Sequence, residues 1–208
     1  MHHQGSQLRD DPKTARKDNK RVGIKAELVS TLDLLLAAPE AHWLPSPIDL
    51  NDIKRYKQSS GVSKWLLSHS TTSREIKSTD AIIRACDSLS KEYNLDLDLI
   101  EKLQWRVALS RKGRANASVD QLILGYGNSA MESWALGHPV ICGVQDERVR
   151  DIMLATWGQL PFFEANESNI REKIEELFLD SALQKEYARR GTEHIKAYHD
   201  DVLVAERL

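Results

Sequence analysis

The sequence predicts an α/β protein built on a doubly wound parallel sheet. Three observations carry that prediction. From Lys64 onward, short apolar runs alternate with amphipathic segments of ten or so residues, the pattern of β-α-β units. Glycine- or serine-rich turns repeatedly hand a strand-like run over to a helix-like one. At 208 residues the chain has room for one large domain, or for one complete domain and part of another.

Taken in order, Trp65-Leu66-Leu67 reads as a first strand, ended by the polar turn of residues 68–73. Residues 79–93 have helical spacing at Ile82, Ile83, Cys86 and Leu89. A second strand is expected from Leu95 to Ile100 and a helical stretch around residues 101–112. S-V-D-Q-L-I-L is the third strand, Ser129 to Leu136 a helix, and P-V-I-C-G-V the fourth strand. An amphipathic helix over residues 147–156, the short strand L-P-F-F-E-A and helices over most of residues 167–208 complete the pattern. The expected core is Leu66, Leu67, Ile82, Ile83, Leu97, Leu99, Leu122, Ile123, Val140, Ile141 and Phe162, with Trp134 packed among them.

The front differs. Residues 10–25 are polar and charge-rich, and the basic run from Lys13 to Lys25 reads as a solvated helix face. V-S-T-L-D-L-L-L looks like a strand-to-helix transition, and Pro45 and Pro47 make H-W-L-P-S-P-I-D an extended connector. Three segments are therefore expected: a lead over residues 1–44, a connector over 45–63 and the α/β domain over 64–208.

Composition excludes several classes. Net charge is −2 and 29% of residues are charged, so no nucleic-acid partner is implied. No apolar run approaches the ~20 residues of a membrane span, and the first ten residues lack the apolar core of a signal peptide. Cys86 and Cys142 lie in apolar patterns without C-x-x-C spacing, which points to reduced core thiols in a cytoplasmic protein. Contact with a membrane surface is compatible with all of this. His69, His138, His194 and His199 have no metal-like grouping, so no metal is expected.

In a doubly wound sheet, ligands bind beyond the carboxyl ends of the strands, which directs attention to three loops. H-S-T-T-S-R-E-I-K-S-T-D places Arg74 and Lys77 just before a helix starting near Thr79, so two cations and a helix N-terminus could share one anion. In G-Y-G-N-S-A-M-E, Gly125 and Gly127 permit close backbone approach, and Asn128, Ser129 and Ala130 open a helix toward Glu132. Two readings of that glutamate stand side by side. Ser129 and Glu132 fit the capping box S-x-x-E, or Glu132 holds a ligand hydroxyl. Asp120-Gln121, an acid and an amide in a buried strand, need polar partners, supplied by the fold or by a substrate.

The order of these motifs resembles the C-terminal, nucleotide-binding half of GT-B glycosyltransferases, most closely the retaining enzymes of the family 4 type. His69-Ser70-Thr71 followed by Arg74-Glu75-Ile76-Lys77-Ser78-Thr79 is similar to "H-a-P" and "R-x-x-K-G-T". Residues 116–127 match "aD-x-x-x-D-Q-x-x-x-G-x-Y-G", and E-S-W-A-L-G-H-P-V-I from Glu132 matches "E-a-M-A-x-G-k-P-V-I", the most specific piece. Gly191 to Asp200 fits the terminal pattern of a glycine after a charged helix, then "H-s/d" before a last helix. At the front, H-H-Q-G-S-Q-L-R, V-S-T-L-D-L-L and W-L-P-S-P-I-D resemble late pieces of the acceptor-side domain and the interdomain hinge, although H-H-Q-G-S also reads as a tag scar.

The resemblance implies a Rossmann-like GT-B C-terminal domain with C-terminal helices and a remnant of the N-terminal acceptor domain. It implies a hexosyltransferase-like enzyme taking a nucleotide-sugar as substrate and a glycan or glycolipid as acceptor, without metal or other cofactor. Arg74 and Lys77 would neutralise the donor diphosphate, backbone amides of Gly127 to Ala130 would approach the phosphates or sugar, and Glu132 would contact the ribose. Asp120 and Gln121 would set the polarity of the site. A separate N-terminal domain or chain would supply the rest of the enzyme, so this chain reads as truncated. Two departures matter: Leu124 stands where the family's E-x7-E motif has its first glutamate, and Ser78 replaces glycine, tolerable if it caps the helix. The alternative is a non-catalytic Rossmann-like nucleotide-binding or interaction module. An epimerase-like or flavodoxin-like domain fits less well, because E-S-W-A-L-G-H-P-V-I argues against it.

Overall fold

The computed structural model describes residues 10–23, 26–58 and 63–207. The H-H-Q-G-S stretch with its tag-or-native alternatives lies outside them. The basic run forms helix α1 (Pro12–Arg21), which buries no residue, as a solvated face should. Strand β1 (Leu28–Val29) and strand β2 (His42–Trp43) pair in parallel around the 3-10 helix Leu32–Leu36, with a small core of Val29, Leu34, Ala38 and Ala41. H-W-L-P-S-P-I-D is extended as expected, and a helix follows it. After Pro47 the Asp49 carboxylate accepts from the N–H groups of Asn51 and Asp52 and starts the short helix α2 (Leu50–Lys54).

The main sheet begins with β3 (Trp65–Thr71), which pairs in parallel with β4 (Leu95–Glu101) on one side and β5 (Ala117–Val119) on the other. Next come β7 (Val140–Val144) and β8 (Phe163–Glu164), giving the parallel order β4-β3-β5-β7-β8. The chain therefore moves outward from β3 to β4 and returns past β3 to β5. The switch point of the doubly wound sheet lies between the carboxyl ends of β3 and β5.

Between the strands run α3 (Thr79–Leu89), α4 (Trp105–Lys112), α5 (Asn128–Ala135) and α6 (Glu147–Trp157), and after the last strand come α7 (Ile170–Leu179), α8 (Ser181–Tyr198) and α9 (Asp201–Ala205). Alternation on β7 divides the two cores. Val140 and Cys142 join Leu109, Met131, Trp134, Phe162 and Ile195, whereas Ile141 joins Leu67, Ile82, Leu89, Val119, Ile174 and Leu177.

Of the expected core, Leu67, Ile82, Leu122, Val140, Ile141, Phe162 and Trp134 are buried, and Leu66, Ile83, Leu97, Leu99 and Ile123 are half-buried. Both cysteines are free and buried. Gly191 lies inside α8, not after a helix: a Cβ there would come within 1.9 Å of Trp134 Cδ1. The helix accepts glycine's conformational cost, ~1 kcal/mol, so that the indole can pack against its backbone.

Two strand expectations are corrected. The first strand runs on through its polar residues to Thr71, because those side chains find partners inside the sheet. Ser68 Oγ lies 2.6 Å from Ser118 Oγ, and His69 Nδ1–H donates to the Val119 carbonyl at 2.9 Å. That bond leaves Nε2 as acceptor from the Thr79 hydroxyl, also at 2.9 Å, so His69 ties β3 to β5 and to the start of α3. The third strand is not continuous. It leaves the parallel ladder at Asp120 and returns as β6 (Leu124–Gly125), antiparallel to β7, with Gly125 at φ 89°.

The Tyr126 hydroxyl, in the middle of G-Y-G, fastens this loop to the C-terminal helices. His199 Nδ1–H donates to the Ser46 carbonyl at 2.8 Å, so its Nε2 accepts from Tyr126 Oη at 2.7 Å. The tyrosine oxygen then accepts from His194 Nε2–H at 2.8 Å. The rings of Trp134, Trp157 and Phe162 pack around Tyr126.

Four histidines are thus buried neutral. Burial pushes His69, His138 and His199 down to about 4 and His194 to about 3, with Val119 and Ser46 opposing the shift at His69 and His199. The unfolded chain binds protons near 6.5 that the folded chain refuses. Their contribution is present above that pH and is lost as pH falls toward 4. Urea unfolding should show stability level above pH 7 and falling below 6.5, each histidine adding up to about 1.4 kcal/mol per pH unit to the slope. An unchanged midpoint between pH 7 and 5 would contradict this proton count.

Candidate functional site

The loop after β3 makes two successive turns, in which the Lys77 N–H reaches the Ser73 carbonyl and the Thr79 N–H the Arg74 carbonyl. This returns Lys77 over the switch point, with only 17% of its side chain exposed. The next residue, Ser78, sits at φ 53°, in the left-handed region. The expectation that it caps α3 is not met: Ser78 makes no capping bond, and its buried Oγ has no hydrogen-bond partner among the described residues. A side chain there costs about 1 kcal/mol in backbone strain alone.

Asp120, leaving β5 with 1% of its surface exposed, meets Lys77. One carboxylate oxygen takes the Lys77 ammonium, and the other accepts the Gly127 N–H at 2.6 Å. Burial by itself drives the Asp120 carboxyl up. Lys77, the Gly127 N–H and the more distant Lys112 outweigh it and hold the group below the usual carboxylate range.

Beside this pair lies a second. Lys112, at the end of α4, is 2% exposed and donates to Glu132 Oε2 at 2.5 Å and to Ser129 Oγ at 2.9 Å. Burial pulls its ammonium below the usual lysine range, against the pull of Glu132. The other Glu132 oxygen accepts from Trp105 Nε1–H at 2.7 Å. The capping-box reading of Ser129 and Glu132 therefore fails. The N-cap of α5 is Gly127, without a side-chain cap, and both candidate cap groups are engaged by Lys112.

Arg74 stands apart from this cluster. It is half-exposed and gives two bonds to Glu101, at 2.8 and 2.7 Å, with Asp80 a further 3.7 Å contact. The register that sets Thr71 opposite Glu101 brings the end of β4 within its reach. So the structure brings Lys77, Asp120, Gly127, Ser129 and Glu132 together and leaves Arg74 at the rim. Asn128 is exposed at the mouth of α5, whereas Gln121, Gly125 and Ala130 are buried. Gln121 anchors the loop through its carbonyl, which accepts the Gly143 N–H at 2.8 Å, and the Ala130 methyl belongs to the core. Gly127 has an ordinary φ, so only Gly125 needs glycine's freedom here.

Sequence reasoning missed Lys112 and Trp105. Neither belongs to a motif, and a lysine ending a helix normally faces water. Next to Glu132 the structure has a cavity of about 220 Å³, lined among others by Pro47, Asp49, Trp105, Asn128, Met131 and Glu132. Its walls come from the connector as well as the sheet domain. Among the described residues no group of histidines, cysteines and carboxylates could hold a metal ion, and no helix is long and apolar enough to cross a membrane.

No known family profile and no curated protein sequence matches the chain. Its fold, however, is found among solved structures. Sucrose-phosphate synthase from Thermosynechococcus elongatus superimposes with a TM-score of 0.65 at 14% identity, covering 97% of this chain and 61% of that one. HepE from Anabaena, solved in complex with UDP, gives 0.70 at 11% identity, covering 99% and 67%. WaaG, a glycosyltransferase involved in lipopolysaccharide biosynthesis, gives 0.54 at 15%, covering 86% and 60%. The fold is that of the C-terminal domain of GT-B glycosyltransferases. The chain spans less than two thirds of the length of sucrose-phosphate synthase and of WaaG.

Two substitutions check this geometry. Ser78→Gly relieves the left-handed backbone and removes an orphaned hydroxyl, so it should raise stability by about 1 kcal/mol in chemical denaturation. Glu132→Ala leaves Lys112 buried without its counter-charge and should cost about 3–5 kcal/mol. Lys112→Met combined with Glu132→Leu should recover most of that loss. A double variant as unstable as the single one would show that the glutamate supports the fold by some other contact.

Proposed function

We propose that this chain is the donor-binding part of a GT-B glycosyltransferase, holding a nucleotide-sugar at the switch point while its sugar passes to a glycan or glycolipid acceptor. The observation that carries the reading is the convergence of the Lys77 ammonium and the Gly127 N–H, from two different loops, on one oxyanion now supplied by Asp120. A cation and a backbone amide at a helix N-terminus are what a diphosphate requires. The similarly folded HepE has been solved in complex with UDP and with UDP-glucose.

In this reading the diphosphate lies over Lys77 and the first turn of α5, with Arg74 at the rim reaching its outer oxygens. Negative charge builds on the leaving phosphate in the transition state, and the Lys77 ammonium stabilises it without a metal. Glu132, with one oxygen on Trp105 and one on Lys112, faces the 220 Å³ cavity, where a ribose hydroxyl would meet it. Transfer with retention of anomeric configuration, and a facing acceptor domain whose closure excludes water, belong to the same proposal.

Two observations favour the second reading, a non-catalytic nucleotide-binding or interaction module. Arg74, Lys77 and Lys112 are each paired with a carboxylate of the chain itself, and Leu124 stands where the resemblance places a glutamate. Calorimetry decides between the two in stages. UDP or UDP-glucose should bind the whole chain, and Lys77→Ala should weaken that binding by about tenfold or more, the scale of a lost charged hydrogen bond. No binding of either ligand, or equal binding by Lys77→Ala, would overturn the donor site. Binding without transfer to any acceptor by the chain with its N-terminal counterpart would favour the second reading.

A further inference from the structure

We propose that Asp120 is a resident competitor for the donor's phosphates, its carboxylate occupying the seat that Lys77 and the Gly127 N–H offer to an incoming oxyanion. This deepens the proposed donor site and rests on it. The Asp120 oxygens divide between the two groups, one on the ammonium and one on the amide, as two oxygens of a phosphate would. Both donors are open to an incoming oxyanion: part of the Lys77 side chain is in solvent, and Gly127 lies at the N-terminus of α5, which has no side-chain cap.

The surrounding charges extend the point. Lys112 is matched by Glu132, and Arg74 by Glu101 with Asp80 a further 3.7 Å away, so these pairs leave no excess positive charge to attract a diphosphate. An arriving phosphate must draw Lys77 away from Asp120, and it then stands beside a buried carboxylate of like charge. Lys77 can make this exchange, because its flexible stem carries three donors and swings on a side chain that already reaches solvent. Asp120 cannot leave, being 1% exposed. The result is a site whose affinity for the nucleoside diphosphate is held down, and whose product is pushed out when the carboxylate reclaims the ammonium.

The test measures UDP and inorganic pyrophosphate by calorimetry on the whole chain, as the unaltered protein, Asp120→Asn, Lys77→Ala and the double variant. Asparagine keeps an oxygen for the Gly127 N–H, removes the charge and turns an NH2, which cannot accept, toward the Lys77 ammonium. Asp120→Asn should bind both probes about tenfold tighter, and the gain should shrink when Lys77→Ala is added, leaving only the relief of like-charge repulsion. Equal or weaker binding by Asp120→Asn overturns the proposal, since it makes Asp120 neutral or a positioning residue for Lys77. If UDP binds the unaltered chain through Lys77 and Asp120→Asn gains nothing, the competitor falls while the donor site stands. If pyrophosphate binds, and about tenfold tighter to Asp120→Asn, while UDP binds neither protein, the competitor stands and the nucleotide reading falls. If neither probe binds any protein, both fall.

Should Asp120→Asn not fold, the unaltered chain answers by NMR. The Lys77 Nζ resonance, identified by its absence in Lys77→Arg, should move when pyrophosphate binds and takes the ammonium from Asp120. A Lys77 signal that stays in place while pyrophosphate binds would overturn the proposal.

Discussion

The arrangement depends on one buried charge. Asp120 leaves the sheet where the winding reverses, out of contact with water, and an isolated carboxylate in such a place would cost several kcal/mol. The fold offsets that cost by bringing Lys77 back over the sheet and by turning the Gly127 N–H inward. Satisfying Asp120 therefore sets the path of both neighbouring loops. The left-handed backbone of Ser78 lies within one of those loops, and the strand broken at Asp120 opens the other.

A second, uncharged network holds the far side of the same loop. From the Ser46 carbonyl through His199, the Tyr126 hydroxyl and His194, hydrogen bonds join the connector, the C-terminal helices and the G-Y-G turn. The proton positions along this chain follow from the one carbonyl at its end, which can only accept. The turn that presents Gly127 to Asp120 is thereby fixed by residues seventy or so positions away in sequence. The connector contributes to the site in two ways, through this chain and through the wall of the cavity beside Glu132.

Much of the architecture was legible because it rests on local periodicity. Strand and helix order, the start of α3 at Thr79, and the burial of Trp134 follow from apolar spacing that any sheet of this kind must cover. The errors came where polar residues find distant partners. Ser68 and His69 read as a turn but belong to the strand, since their partners Ser118 and Val119 lie on a neighbouring strand. Ser129 and Glu132 read as a capping box, yet Lys112, 17 and 20 residues earlier, takes both side chains. Gly191 looked like a helix end and is a seat for the indole of Trp134.

The sequence by itself determined which elements form, their order, and which loops carry the residues that could hold an anion, because backbone preference and hydrophobic period act over a few neighbouring positions. Only the tertiary structure decided how those residues are paired: Arg74 with Glu101 at the rim, Lys77 with Asp120 within, Glu132 with Lys112 and Trp105. The reason is that the cost of a buried charge is settled by whatever lies within a few ångströms of it in space, and at the switch point of a doubly wound sheet those neighbours come from loops far apart in the chain.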